Sequence, residues 1–295
     1  MPDPLIDVTD LRDGTYPPDD HFLRDLSIVS ERVSSGRTVS ATELDPGKLD
    51  NTGRPAIGFL AALIDLNAAQ AALLAVHPKW TATSGLSVHL SGAGATRSLL
   101  SESTVVRVGS NLVVVRTSVY DGNGDDADAL LDGAVRREPG SHERARIASA
   151  LLTFVRIPGE ASRVSATFDP AAVSHRNRMG APAEPRAGAI MDRIGGSVLA
   201  PGMVSVEPSE YVNNSFATIN GGVYGVLFAA AIESLSPGLV TTDIEVQFLS
   251  QTKVGPVVTT ALPVRDVGGV IVCELEARVA DKVLATGTAT ASVTR

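Results

Sequence analysis

Two long apolar segments, one in each half of the chain, dominate its pattern of hydrophobic and polar residues. Residues 57–76 are rich in Ala and Leu and apolar nearly all round, which is typical of a helix covered on most sides. Residues 221–235 show the same pattern and are followed by Ser236-Pro237-Gly238, a run that ends helices. We therefore predict two buried helices, at 57–76 and 221–235.

Shorter alternations of apolar and polar residues surround both helices and predict strands. In the first half these strands are expected at about 37–43, 84–92, 98–108, 111–121 and 148–157. In the second half a strand is expected to start near 198, and others lie near 241–251, 255–265, 269–280 and 283–293. Each half thus has one long helix and about five strands joined mainly by hairpins. This predicts an α+β fold with antiparallel pairing.

The two halves also repeat each other residue by residue. Residues 56–66 align with residues 220–230 at an offset of 164 residues (220 minus 56), which also pairs Asp50 with Asn214 and Asp65 with Ala229. A repeat of this length exceeds the ~20–50 residues of solenoid units and indicates a duplicated domain. If the two copies pack together, the first can contribute a carboxylate to a backbone pocket of the second.

We predict four parts along the chain. An acidic, proline-containing arm covers 1–25, a first unit 26–157, a linker rich in Pro, Gly and Ala 158–197, and a second unit 198–295. Residues of about 123–147 are rich in Asp, Arg and Gly and have no counterpart in the second unit. We expect this insertion to be a solvated loop on a hairpin, with a flap over a site as the alternative.

Composition excludes several classes of partner. The formal net charge is −8 and no Lys/Arg cluster is long enough to follow a phosphate backbone, so nucleic acid is not expected. The single cysteine, Cys273, excludes a disulfide framework within the chain and a cysteine-based metal cluster. The N-terminal residues show no signal peptide. Asp65 interrupts the apolar stretch 56–76, where an acid at a bilayer centre costs ~2.5–3.5 kcal/mol. We expect a cytoplasmic protein that does not bind membranes.

The element order and the start of each helix resemble the hotdog-fold acyl-CoA thioesterases, in particular the phenylacetyl-CoA thioesterase group, as a double hotdog with two units fused in one chain. The helix-start motif of that family reads Asn-x5-His-Gly-Gly-x4-Leu-x-Asp. Neither half has the histidine, and only the first half has the acid. The second half reads Asn214-x5-Asn220-Gly221-Gly222-x4-Leu227-Phe228-Ala229, and the first reads Asp50-x5-Ala56-Ile57-Gly58-x4-Leu63-Ile64-Asp65.

The resemblance implies a composite site between the two units that hydrolyses a thioester of CoA or of an acyl carrier. Asp65 would be the general base or the nucleophile, and burial on an apolar helix would raise its pKa. The start of the second helix would hold the oxyanion through its unpaired N–H groups and its dipole. The other residues implied are Asn220, Gly221 and Gly222 at the oxyanion, Thr83 or Ser84 at the attacking water, and Asn214, Tyr224 and Phe59 at the substrate.

The resemblance also implies what is not needed. No metal or redox cofactor is expected, since CoA is part of the substrate. The reciprocal site, with Ala56, Ile57 and Ala229, lacks the acid, the histidine and one glycine, and we expect it to be inert. A homodimer of double-hotdog chains is expected by analogy with the family alone.

Structural alternatives remain open for the site residues. Asp65 could pair with a backbone amide inside the sheet, Gly221 and Gly222 could permit tight packing, and Asn214 could be a turn or N-cap residue. The linker arginines could contact CoA phosphates or be solvated. They are Arg163, Arg176, Arg178 and Arg186.

Two other functions are compatible with the same fold. The missing histidine and the degenerate second site favour a non-catalytic acyl-CoA or fatty-acyl binding protein as the alternative. A hotdog hydratase is disfavoured, because Asp65 has no histidine a few residues further on.

Overall fold

The computed structural model describes residues 16–158, 176–180 and 185–293. Most of the predicted arm, most of the predicted linker and Arg163 lie outside these residues. The helices of the described part are α1 (Phe22–Asp25), α2 (Ile57–Val76), α3 (Ala127–Val135), α4 (Ile190–Arg193) and α5 (Gly221–Glu233). Both long helices begin where the sequence predicts, at the same position of the repeat.

The strands of the described part form one antiparallel sheet in the order β7-β1-β2-β4-β5-β6-β3-β10-β13-β12-β11-β9-β8. Each predicted strand is present to within a few residues. The strands are β1 (Val29–Ser34), β2 (Arg37–Glu43), β3 (Trp80–Leu90), β4 (Ser98–Val108), β5 (Leu112–Asp121), β6 (Arg146–Ile157), β7 (Asn177–Arg178), β8 (Ser197–Ala200), β9 (Met203–Val206), β10 (Leu239–Phe248), β11 (Val257–Val267), β12 (Val270–Val279) and β13 (Lys282–Val293).

The sheet order repeats in the two halves. The strands of the first half have the order β2-β4-β5-β6-β3, and α2 connects β2 to β3 along the chain. The strands of the second half have the order β9-β11-β12-β13-β10, and α5 connects β9 to β10. The halves join where β3 pairs with β10, with Leu86 opposite Val246 and Val88 opposite Ile244. The two halves are thus related by an approximate two-fold axis that brings α2 and α5 together.

Small residues let α2 and α5 pack closely. A Cβ added to Gly58 would lie 2.8 Å from Val226 Cα, and one added to Gly222 would lie 2.5 Å from Ala62 Cα. Gly58 and Gly222 occupy the same repeat position, as do Ala62 and Val226, so the two contacts are equivalent under the two-fold axis. The helix backbones therefore approach too closely at both places for any side chain larger than that of glycine.

Helix α2 is buried along most of its length. It packs on β2 to β6 and on α5, and most of its residues have almost no exposed surface. Among the described residues it is the one helix whose length and composition would suit a membrane span. Its position between the sheet and α5 accounts for an apolar surface all round.

The insertion at about 123–147 is not the solvated loop that we predicted. Residues 127–135 form α3, which packs on β1, β2 and β4 on the outer side of the sheet. Leu130, Leu131 and Ala134 are buried there, at the i, i+1 and i+4 positions of one helix face. The high content of charged residues in the sequence hid this short apolar stripe. None of the residues of this insertion lines the cavity of the candidate active site.

The described end of the predicted arm packs on the second half. His21 Nε2 donates to the Asn213 carbonyl at 2.8 Å, and the Phe22 N–H donates to the Tyr211 carbonyl at 3.0 Å. His21 Nδ1 accepts from the Leu23 N–H, so the imidazole is neutral and caps α1. Burial lowers the pKa of His21 to about 4, which keeps this anchor neutral near pH 7. Residues 16–25 are thereby fixed beside the start of α5.

Candidate active site

Asp65 is a buried acid in the middle of α2, with 5 % of its surface exposed. Its Oδ1 accepts a hydrogen bond of 2.8 Å from Thr83 Oγ1 on β3. Burial raises the pKa of Asp65 to about 6, while the Thr83 hydroxyl and the backbone N–H of Gly222 act in the opposite direction. The desolvation predicted from its apolar neighbours in the sequence is therefore the dominant effect.

The second carboxylate oxygen of Asp65 faces the start of α5. A Cβ added to Gly221 would lie 2.8 Å from Asp65 Oδ2, so only glycine leaves room for the acid. Gly221 is thus required by the carboxylate, whereas Gly222 is required by the helix contact with Ala62. The sequence left open whether the two glycines belong to the site or to tight helix packing. The first role applies to Gly221 and the second to Gly222.

The N–H groups at the start of α5 are not all available to a ligand. Asn220 is the N-cap, and its Oδ1 accepts from the Gly222 N–H at 2.9 Å. The Val223 N–H donates to the Asn220 carbonyl. Within the described part of the chain the Gly221 N–H has no hydrogen-bond partner. With Oδ1 used as the cap, the Asn220 side chain has its amide N–H groups left as donors, and the hydroxyl of Tyr16 lies close to this side chain.

The positions related to this acid and glycine by the two-fold axis carry Ala229 and Ile57. Both are buried apolar residues of the core. Where the acid is absent, the glycine that makes room for it is also absent. Glu233 lies one turn beyond Ala229 on α5; its Oε1 accepts from the Thr241 N–H at 3.3 Å, and burial raises its pKa.

A cavity of about 290 Å³ lies at this junction of the two halves. Its wall combines polar side chains with a larger area of apolar surface. Leu66, Ala69, Leu73, Leu74, Trp80 and Phe154 form part of the apolar wall. Of the predicted site residues, the cavity is lined by Asp65, Thr83, Asn214, Asn220, Gly221 and Tyr224.

Three predicted residues do not line the cavity: Phe59, Ser84 and Gly222, the last of which packs on Ala62. Phe59 is fully buried in the core beneath Lys48 and does not reach the cavity. Ser84 is the extra residue at a β-bulge between Thr83 and Gly85, where β3 pairs with β6, and its hydroxyl hydrogen-bonds to Thr153. Of the two hydroxyls that the sequence offered, the structure brings Thr83 to the acid.

Asn214 has the same structural role as Asp50 in the other half. Asn214 Oδ1 accepts from the N–H groups of Phe216 and Thr218, and Asp50 Oδ1 accepts from those of Thr52 and Arg54. Each residue closes the turn before its helix, as Asx residues often do. The Asn214 side chain also lies at the cavity wall, so its predicted contact with substrate stays a prediction.

The sequence did not identify Tyr16, which lies at the cavity beside Asn220. It comes from the predicted arm, where no periodic pattern marks it, and only the packing of residues 16–25 brings it to the site. Gln70 and Gln251 also line the cavity and were not predicted. Gln70 lies four residues beyond Leu66 on α2, on the helix face that also places Ala69 and Leu73 at the cavity, a spacing that could have indicated it.

The described linker arginines are held by acidic side chains. Arg176 pairs with Glu31, Asp128 and Asp132, and Arg178 pairs with Asp128. Arg186 pairs with Asp20 and stacks 3.5 Å above the centre of the Tyr211 ring. These ion pairs fix the segment to the rest of the protein.

Comparison with solved structures identifies the fold. A TesB protein from Mycobacterium avium subsp. paratuberculosis superposes with a TM-score of 0.55 at 11% identity, covering 92% of this chain and 98% of the other. A protein assigned as an oleoyl thioesterase from Lactobacillus plantarum gives the same values. An acyl-ACP thioesterase from Bacteroides thetaiotaomicron has a TM-score of 0.52 at 12% identity, covering 87% and 98% of the two chains. The predicted α+β hotdog fold is thereby confirmed. No family model matches the sequence, and no curated protein is similar to it.

Proposed function

We propose that this protein is a thioesterase, an acyl-CoA thioesterase built from two fused hotdog units with one composite site between them. The observation that carries the proposal is the contact of the buried Asp65 carboxylate with Gly221 at the start of the other half's helix. An acid of raised pKa, a helix N-terminus and an apolar cavity meet at this one place. The thioesterases of the same fold among the solved structures support this chemistry.

In the proposed reaction Asp65 takes a proton from a water molecule that Thr83 helps to position. The water oxygen bonds to the thioester carbonyl carbon, and the carbonyl π electrons move to oxygen to give a tetrahedral oxyanion. The oxyanion collapses, the C–S bond breaks, and the proton on Asp65 goes to the leaving thiolate. The net products are a carboxylic acid and a thiol, and direct attack by Asp65 through an anhydride is the variant of this route.

The electrostatics of the site favour both the proton transfer to Asp65 and the formation of the oxyanion. With a pKa of about 6, Asp65 is ionised about ten to one at pH 7 and is still basic enough to accept a proton. The Gly221 N–H and the positive end of the α5 dipole stabilise the negative charge that forms on the carbonyl oxygen. An oxyanion donor of this kind contributes ~3–4 kcal/mol to the transition state in other enzymes.

The test is thiol release from a panel of short, medium, long and aromatic acyl thioesters of CoA and of an acyl carrier protein. Turnover of any member by wild type, with loss of at least about a hundredfold in kcat for Asp65→Ala at unchanged melting temperature, supports the proposal. The preferred acyl group then defines the substrate, and a preference for aromatic acyl groups would agree with the phenylacetyl-CoA group. Turnover that is unaffected in Asp65→Ala would exclude the mechanism.

A non-catalytic acyl-binding protein is the second candidate, because both copies of the motif lack the histidine. Isothermal titration with a non-hydrolysable acyl-CoA thioether distinguishes the two. Tight binding combined with the absence of thiol release across the whole panel would favour this candidate over the thioesterase.

A further inference from the structure

Tyr16 places a hydroxyl group at the cavity. The residue lines the cavity together with Asp65, Asn220 and Gly221, and it comes from the segment that precedes the first half. Its hydroxyl is close to the Asn220 side chain and to the Asp65 carboxylate, which both act on its pKa. Desolvation, the largest effect, raises the pKa of Tyr16 well above its usual range. The phenol therefore stays protonated near pH 7 and can donate a hydrogen bond.

The hydroxyl proton of Tyr16 is only weakly engaged within the protein. Its contact with the Asn213 carbonyl is 3.4 Å long, beyond the usual 2.5–3.0 Å for O–H···O bonds. The same carbonyl already accepts a 2.8 Å hydrogen bond from His21 Nε2. A ligand oxygen in the cavity can therefore compete for the Tyr16 proton at little cost.

The position of the Tyr16 ring is fixed by its neighbours. The ring lies edge-on to His21, with the ring centres 5.2 Å apart, and His21 is itself anchored to Asn213. The ring can keep this packing when the hydroxyl is removed, so the role of the hydroxyl can be tested on its own.

We infer that Tyr16 is a hydrogen-bond donor to the carbonyl oxygen of the substrate, and that the segment 16–25 completes the active site. This inference rests on the proposed thioesterase function. In it, the Tyr16 hydroxyl and an N–H of the Asn220 amide donate to the same substrate oxygen as the Gly221 N–H. These two side-chain donors are needed because the Gly222 N–H at the helix start already donates to Asn220 Oδ1. The charge develops on that oxygen in the transition state, so the donor acts mainly on kcat.

The experiment compares Tyr16→Phe with wild type on the best substrate of the panel. We expect kcat to fall about a hundredfold, as for loss of one oxyanion donor, with KM changed by less than about threefold. The acid limb of the pH–rate profile is expected to stay in place, since Asp65 and Thr83 are unchanged. The matched control is Tyr120→Phe, which removes a buried tyrosine hydroxyl that has no hydrogen-bond partner in the described part of the chain. Tyr120 lies below α3, outside the cavity, and its variant is expected to keep the wild-type kcat.

Three results would overturn the inference. A kcat of Tyr16→Phe within about twofold of wild type would mean that the residue only covers the cavity. A fall in kcat with a shifted acid limb would mean that Tyr16 acts through Asp65 and not on the substrate. Absence of turnover by wild type itself would remove the proposed function and this inference together, which separates that failure from the other two.

If Tyr16→Phe melts below wild type, Asn220→Ser provides the second test. Serine keeps a capping oxygen but loses the amide N–H, so this variant should lower kcat in the same way.

Discussion

Replacement of Asp65 by Asn should stabilise the protein, and increasingly so as the pH rises. The buried carboxylate is ionised at neutral pH in a place that burial makes unfavourable for charge. Its pKa rises from 3.8 to about 6 on folding. Asn has nearly the same shape and can still accept the hydrogen bond from Thr83, so the substitution removes mainly the charge.

The size of the effect follows from the two pKa values. Each pH unit between them is worth ~1.4 kcal/mol, so the ionised carboxylate lowers the free energy of unfolding by about 3 kcal/mol. Because the folded pKa is the higher one, this loss is small below pH 4, grows as the pH rises to 6 and is constant above it. Between pH 5 and pH 8 the advantage of Asp65→Asn over wild type should grow by about 1.4 kcal/mol. For a chain of 295 residues this is a gain of roughly 2–3 °C in relative melting temperature.

Urea unfolding of wild type and Asp65→Asn at pH 5, 6, 7 and 8 measures the difference directly. Asp45→Asn is the matched control, because the pKa of Asp45 is lowered: partial burial raises it, but Arg193 and Lys48 outweigh this. Its carboxylate is ionised in both the folded and the unfolded state from pH 5 to pH 8, so the stability difference for Asp45→Asn should stay constant over this range. A stability difference for Asp65→Asn that does not change with pH, or that decreases toward pH 8, would refute the argument that Asp65 is a desolvated carboxylate.

Further predictions concern the same site. The pH–rate profile of kcat/KM on a thioester should have an acid limb near pH 6, because Asp65 must be ionised to act as the base, and a limb near pH 4 would contradict the raised pKa. Gly221→Ala should lower kcat at least tenfold with little change in melting temperature, since its Cβ would displace the Asp65 carboxylate. Gly222→Ala should instead lower the melting temperature, since its Cβ would overlap Ala62, and equal effects of the two variants on both quantities would remove the distinction between them.

The helices, strands and repeat could be predicted because each depends on local patterns. The apolar runs gave both long helices, and alternation gave the strands to within a few residues. The offset of 164 residues aligned the start of α2 with the start of α5, and Asp65 with Ala229. Together with the packing of the two copies that the resemblance implied, this led us to expect the acid near Gly221, and in the structure the two are in contact.

The remaining features depend on contacts between distant segments. Nothing local in the sequence places Tyr16 against Asn220, because the arm has no periodic pattern. The stripe of α3 spans only nine residues among many charges, and such short helices are stabilised by the sheet on which they pack. The separate roles of Gly221 and Gly222 become visible only when the distances to Asp65 and Ala62 are known. Phe59 has a helix position that suits either the core or the cavity, and the structure places it in the core.

The central claim is that the two halves form one working site, with its acid from the first half. The most direct test is kcat on the best thioester substrate for Asp65→Asn and for Glu233→Gln, which removes the acid on the opposite side of the two-fold axis. We expect Asp65→Asn to lose at least about a hundredfold in kcat and Glu233→Gln to stay within about twofold of wild type. Loss of activity in Glu233→Gln with full activity in Asp65→Asn would place the chemistry in the other half and contradict the account.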